Sequence, residues 1–173
     1  MTVATFQSAV NVLASFGVVG DLLTDGPIRA ESLTLDTNGG TVGYAFTKNV
    51  TTGIATMGGT PTSGTSVFAG ILINPKGLPG FAPSSGFPID PSLTVPGSNQ
   101  GEFLTMGTIV VQSTTACNIG DQVQFNVTTG AISTVAPGAA ATTGNVLIPN
   151  ATVYRYPSTA AGVIAIRLAA FTA

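Results

Sequence analysis

Glycine and proline divide this chain into short segments, and this division constrains its fold more than any other feature. The 173 residues include 22 glycines and 11 prolines. Proline lacks the backbone donor that a helix interior needs, and glycine is entropically unfavourable there. Seven of the prolines fall between Gly58 and Gly101, where helix is effectively excluded. Phe6, Val10 and Leu13 have helical spacing, but the glycines and β-branched residues around them favour an extended arm. The C-terminal part carries no amphipathic helical pattern, so the chain is expected to form short strands.

The clearest strand pattern is GDQVQFNVTTGAIST, residues 120–134. Its part QVQFNVT alternates apolar and polar side chains, which is the period of a strand with one dry face and one wet face. Thr129-Gly130 supplies a turn, and AIST resumes the extended pattern beyond it. This predicts a hairpin, with Asp121 shaping the turn that leads into its first strand.

A second hairpin is predicted nearer the N-terminus. Residues 28–35 and 41–48 read as its two strands, and the intervening Asp36-Thr-Asn-Gly-Gly40 is a strong turn signal. One side of the second strand is expected to carry Val42, Tyr44 and Phe46.

Further short strands are separated by turn residues, and this spacing is typical of a β-sandwich or small barrel. The expected fold is therefore all-β: a small β-barrel or β-sandwich with an extended N-terminal arm and a Gly/Pro-rich central region. One structural unit is expected, with the arm and hairpin in 1–57, loops and one buried strand in 58–101, and the barrel or sandwich in 102–173. The further predicted strands are Val67–Ile73, Phe103–Thr105, Thr108–Gln112, Ala151–Tyr156 and Gly162–Leu168.

Low charge excludes several classes of partner. Charged residues make up 7% of the chain, against roughly 25% in typical soluble domains. Five scattered Lys and Arg residues cannot neutralise a run of phosphates, so neither nucleic acid nor an anionic membrane is an expected partner. No stretch reaches the roughly 18–20 apolar residues of a spanning helix. The N-terminus lacks the basic region of a secretory signal, so synthesis in the cytoplasm is expected.

The residue inventory also argues against catalysis. There is no histidine and one cysteine, so no triad, imidazole catalyst or histidine metal site is expected, and no cofactor. Cys117 is expected to be a buried, inert thiol. Most of the seven acidic residues occupy turn positions. A hydrolase that pairs Glu102 with Asp90 or Asp121 stays open as an alternative.

Four stretches, in order along the chain, resemble the structural cement proteins of tailed bacteriophages. They are FGVVGDLLTDGPIR (16–29), VFAGILINPK (67–76), EFLTMGTIVV (102–111) and IGDQVQFNVTTG (119–130). The resemblance covers most of the chain. It implies a non-enzymatic capsid decoration protein of the virion, which lies on the outer shell and bridges neighbouring subunits of the major capsid protein.

The expected capsid interface combines apolar residues in irregular segments with one charged pair. Asp21 and Arg29 bracket a Gly-Pro turn and are expected to pair across it. The protein is expected to form a trimer or dimer. Two alternatives stay open: the apolar residues cover the protein's own core, or the chain is a tail- or fibre-associated module that binds a host glycan. The expected interface residues are Phe6, Val10, Phe16, Asp21, Arg29, Leu78, Phe81 and Phe87.

Overall fold

The computed structural model describes residues 17–75 and 94–169, and all regular elements within them are β-strands, which confirms the all-β prediction. None of these residues forms a helix that is long and apolar enough to span a membrane. The predicted N-terminal arm lies outside the described residues. The strands are β1 (Leu22–Leu23), β2 (Arg29–Thr34), β3 (Gly40–Thr41), β4 (Ala45–Asn49), β5 (Ala55–Met57), β6 (Ser66–Leu72), β7 (Thr94–Val95), β8 (Gln100–Ser113), β9 (Gln122–Asn126), β10 (Ile132–Val135), β11 (Asn145–Arg155) and β12 (Gly162–Leu168).

A closed barrel forms one half of the fold. Around its wall, β8 pairs with β12, β12 with β11, β11 with β9, and β9 with β10. The parallel pairing of β10 with β8, at Ile132 and Ser113, closes the ring. The barrel, rather than the sandwich, is therefore the architecture of the C-terminal part.

A second sheet is joined to the barrel through one shared strand. Its order is β2-β8-β6-β4-β5. The first half of β8 pairs with β2 and β6, whereas its second half pairs with β12 and β1. Consecutive residues of β8 serve different cores, since Phe103 packs in one hydrophobic cluster and Leu104 in the other. The two sheets are thus parts of one continuous hydrogen-bonded structure.

Two hydrophobic cores stabilise this arrangement. The larger core fills the barrel and includes a contact between Phe68 of the sheet and Phe125 of the barrel, with ring centroids 5.9 Å apart. The smaller core lies around Phe46 and Phe103, whose rings meet edge to face at 5.0 Å. Val42, Tyr44 and Phe46 all pack in or against this smaller core, but they do not lie on one strand, because β4 begins at Ala45 and Val42 lies in the turn before it.

The tip of the β9–β10 hairpin makes direct backbone contact with the sheet. Ala45 N donates to Gly130 O at 2.9 Å, and Gly58 N donates to Ala45 O at 2.9 Å. Gly59 N donates to Val127 O at 2.7 Å. A Cβ atom on Gly130 would lie 2.6 Å from Ala45 O. Barrel and sheet therefore approach here at a distance that leaves no room for a side chain.

Three local predictions are confirmed. Strands β9 and β10 form the predicted hairpin, with Phe125 opposite Ile132. Asp121 shapes the preceding turn, because its Oδ2 accepts a hydrogen bond from Asn118 N at 2.7 Å. The predicted apolar strand corresponds to β6, which is buried from Phe68 to Leu72.

The predicted hairpin of residues 28–35 and 41–48 is wrong. The turn forms, since Asp36 Oδ1 accepts a hydrogen bond from Asn38 N at 2.9 Å. However, β2 pairs with β8, and β4 pairs with β5 and β6. Gly40 and Thr41 instead pair with Val95 and Thr94, so the chain leaves its first strand and does not fold back on it.

The predicted strands 103–105 and 108–112 are one strand, β8. Met106 and Gly107 interrupt the apolar pattern but not the pairing, because Met106 pairs with Arg29 and Gly107 with Leu168. The predicted strand 151–156 is likewise part of the longer β11.

Candidate functional site

Most of the predicted interface residues lie outside the part of the chain that the structure describes. Asp21 and Arg29 lie within it. Asp90, one partner in the hydrolase alternative, also lies outside. The other predicted interface residues outside the described ranges are Phe6, Val10, Phe16, Leu78, Phe81 and Phe87.

The predicted ion pair between Asp21 and Arg29 is wrong. Within residues 17–75 and 94–169, the ion pairs involve Glu31 and Asp25 as the acids. Val110 N donates to Asp21 O, whereas Arg29 lies opposite Met106. These positions are four residues apart along β8, or about 13 Å. The Asp21 carboxylate instead accepts hydrogen bonds from Val18 N at 3.2 Å and Asn74 Nδ2 at 3.4 Å.

Strand β2 offers an exposed edge. It is mostly solvent-exposed, and β8 is its only strand partner among the described residues. Just beyond β2 this second edge is already engaged, because Leu35 forms a parallel bridge with Ala55 and Asp36 N donates to Ala55 O at 2.9 Å. Within β2 itself the described residues provide no second strand partner, and a free strand edge is one way in which extended segments of a partner protein bind. Arg29 lies at the first position of this edge strand.

A groove of about 450 Å³ lies between the sheet and the barrel. Its walls are mainly apolar and include Phe68 and Phe125. At its border, Lys48 Nζ lies 2.7 Å from both carboxylate oxygens of Glu31, so these two charges neutralise each other. The other polar residues of its lining are Thr62, Ser63, Ser66 and Thr105.

A cluster of two arginines, one tyrosine and one aspartate lies on the outer face of the barrel. The guanidinium carbon of Arg167 is 3.6 Å from the centre of the Tyr154 ring, and that of Arg155 is 4.8 Å away. Both guanidiniums also approach Asp25 Oδ2, from 3.3 Å for Arg155 and 3.8 Å for Arg167. We call these four residues the arginine–tyrosine cluster.

Strand pairing explains how the cluster forms. Arg167 lies opposite Thr152 on β11, and Tyr154, two residues further along, lies diagonally across from it on the same face. The register then shifts between Val153 and Arg155, which is a β-bulge. Such a bulge re-aims side chains locally, and here it leaves Arg155 beside Tyr154.

The electrostatics of the cluster are those of a small positive site. Arg155 donates a hydrogen bond to the Tyr154 hydroxyl at 3.3 Å, and this bond is the main reason that the pKa of Arg155 is raised above its ordinary value. Two guanidinium charges face the single carboxylate of Asp25. The cluster therefore carries one net positive charge.

Sequence reasoning missed this cluster because its members are far apart along the chain. Asp25 reads as a turn residue, and nothing in the local pattern around Tyr154 marks a bulge. The signal that could have found it is the presence of two arginines in strands that are predicted to be neighbours.

Two other residues with reactive or ionisable side chains, Cys117 and Asp121, have structural surroundings. Cys117 is buried, as predicted, and the Asp121 carboxylate is held by its turn. Within residues 17–75 and 94–169, no three His, Cys, Asp or Glu side chains are grouped so as to hold a metal ion.

The fold of this chain is similar to that of a protein in a solved phage capsid structure. A chain of the solved structure "The capsid of Myoviridae Phage XM1" is similar over 96% of this chain and 99% of its own length, with a TM-score of 0.66 and 15% sequence identity. The two chains share a fold: the barrel with its attached sheet is the architecture of a chain in a phage capsid structure. No curated protein matches this sequence.

The amino-acid sequence matches a known protein family over most of its length. The family model described as "Structural cement protein (E217 gp24/Pam3 gp6)" matches residues 6–169. The chain therefore belongs to the structural cement protein family of phages, which confirms the resemblance found in the sequence. Its role is a structural one in association with the capsid, and it is a protein of the virion.

Proposed function

We propose that this protein binds the outer surface of the assembled shell, where it contacts the major capsid protein and bridges neighbouring subunits. The observation that carries the proposal is the family match, which spans nearly the whole chain. The low charge and the mostly solvent-exposed strand β2 are compatible with a protein that acts by adhesion rather than by catalysis.

Two kinds of contact support such binding. An exposed strand edge can pair with an extended segment of the capsid protein through backbone hydrogen bonds. Apolar residues in irregular segments can pack against the shell, and the N-terminal residues Phe6, Val10 and Phe16 belong to this group. The segment with Leu78, Phe81 and Phe87 is the second candidate for apolar contact.

Binding to the assembled lattice alone would stabilise the shell by mass action. The gain is RT ln(1 + [L]/Kd), or about 3 kcal/mol per site when free protein is at a hundredfold excess over Kd. Assembly of the protein itself into a trimer or dimer would repeat the same contacts by symmetry and raise this gain. The protein is made in the host cytoplasm and joins the shell there.

Copy number tests this function. Quantitative mass spectrometry of purified virions should give a ratio to the major capsid protein near one, or near a simple fraction such as one half. A ratio of a few per cent would place the protein on the tail or at a vertex and favour the glycan-binding alternative. Absence from the virion would contradict any structural role.

The N-terminal contact is tested separately. Deletion of residues 1–16 should abolish binding to capsids and leave the circular dichroism spectrum of the folded chain unchanged. A variant in which Phe6, Val10 and Phe16 are replaced by serine should behave in the same way. As a matched control, replacement of Gln7, Ser8 and Asn11 by alanine should retain binding. Full occupancy by the deleted chain would contradict the role of this segment.

A further inference from the structure

We propose that the arginine–tyrosine cluster is a binding site for a carboxylate side chain of the partner protein on the shell. This inference rests on the proposed function, because it supplies a polar anchor for the docking of the protein on the capsid. It adds a site of defined chemistry to a chain in which only 7% of the residues are charged.

The geometry leaves donors available at the site. Each guanidinium has five N–H donors in a planar fork. Arg155 uses one nitrogen for both Tyr154 and Asp25, and Arg167 approaches Asp25 only to 3.8 Å. The Arg155 and Arg167 side chains are 46% and 43% exposed. Both guanidinium carbons lie over the Tyr154 ring, and such a cation–π contact favours one arrangement of an arginine side chain, so less side-chain entropy is lost when a ligand binds.

The charge balance also favours an incoming anion. Asp25 offers a single carboxylate to two arginines, whereas Lys48 is matched by Glu31 at 2.7 Å. Among the described residues, the cluster is therefore a place where two cations share one counter-ion. A second carboxylate would give each guanidinium a counter-ion of its own.

The chemistry of the site favours a carboxylate over a nucleic-acid phosphate backbone. The guanidinium fork matches a carboxylate in a bidentate manner. Nucleic acid is bound through several phosphates at once, and the chain has only five Lys and Arg residues in total. One isolated pair of arginines suits a single acidic side chain or a short acidic loop.

A purely structural role makes the opposite prediction for one substitution. If the cluster only tethers the segment around Asp25 to the barrel, then Asp25→Asn and Arg167→Gln should both lower the free energy of unfolding, and both should weaken binding to the shell. If the cluster binds a carboxylate, Asp25→Asn removes a competing anion. It should then retain or strengthen binding, whereas Arg167→Gln weakens it.

The first experiment measures affinity for shells that lack this protein, by co-sedimentation of the full chain in 50 and 200 mM salt. We expect Arg167→Gln to bind about tenfold more weakly and with less salt dependence than the unsubstituted protein. Asp25→Asn should bind at least as tightly. Lys48→Gln removes the same charge at a neutralised pair and should change affinity less than twofold. Urea unfolding of each variant shows whether a loss of affinity is caused by a loss of folding stability.

The second experiment does not need the shell. Arginine side-chain NMR signals are followed as hexaglutamate, hexaglutamine or a ten-residue thymidine oligonucleotide is added. We expect the Arg167 Nε–H signal to shift with hexaglutamate alone. A stronger shift with the oligonucleotide would overturn the carboxylate assignment.

The two experiments separate this inference from the proposed function. If the unsubstituted protein fails to bind shells but Arg167 responds to hexaglutamate, the capsid function fails and the site stands. If the protein binds shells and both Arg167→Gln and Asp25→Asn bind equally well, the site is refuted and the function stands. If both substitutions weaken binding and unfolding stability together, the cluster is only a tether.

Discussion

The close contact between the hairpin tip and the sheet gives a quantitative prediction for Gly130→Ala. Gly130 has a φ of 73°, a conformation that costs a residue with a side chain about 1–2 kcal/mol. Its new Cβ would also lie 2.6 Å from Ala45 O. Relief of this clash must break the hydrogen bonds that Ala45 makes with Gly130 and Gly58, at about 1 kcal/mol each. The expected loss is about 3–4 kcal/mol in the free energy of unfolding.

Gly53→Ala is the matched control. Gly53 has nearly the same φ, 70°, but a Cβ there meets no atom within 4 Å. Only the conformational cost of about 1–2 kcal/mol applies. The two variants should therefore differ by about 2 kcal/mol, and this difference isolates the backbone contact.

Urea denaturation followed by far-ultraviolet circular dichroism measures both values, and equal m-values for the two variants make them comparable. If the free energy of unfolding of Gly130→Ala is no more than about 0.5 kcal/mol below that of Gly53→Ala, then the hairpin tip is not held against the sheet. Such a result would contradict the close contact between barrel and sheet at Gly130.

Other positions give further expected outcomes. Phe103→Ala should lower the free energy of unfolding by about 3–5 kcal/mol, whereas Val50→Ala, at a 48% exposed position, should change it by less than about 0.5 kcal/mol. The thiol of Cys117, 4% exposed, should react with Ellman's reagent only in denaturant, and rapid reaction in buffer would contradict its burial. Glu102→Ala should leave capsid binding intact, and loss of a measurable hydrolytic activity in that variant would instead support the carboxylate hydrolase.

Local patterns were enough to predict the elements that pair with their neighbours in sequence. The alternation in residues 122–128 and the Thr129-Gly130 turn gave the β9–β10 hairpin, because both strands and the turn lie within fifteen residues. Strand β6 could also be predicted, because a strand that is buried on both faces consists of a continuous run of apolar residues.

Long-range pairings could not be predicted in this way. β2 pairs with β8, about seventy residues later, and its own sequence alternates without a clean apolar face. The strong turn signal that begins at Asp36 led to the prediction that β2 pairs with the next strand in the sequence. Turn residues report only that the chain changes direction, and the partner is decided by which edge is available in the folded protein. The arginine–tyrosine cluster was missed for the same reason, because a bulge and three distant segments create it.

The shared strand β8 has a mechanical consequence. Sheet and barrel both hold the same continuous chain, the sheet by the first half of β8 and the barrel by the second. A force that pulls the sheet away from the barrel along this strand loads many backbone hydrogen bonds at once, in shear. A protein built in this way transmits tension between two points of attachment through one covalent strand.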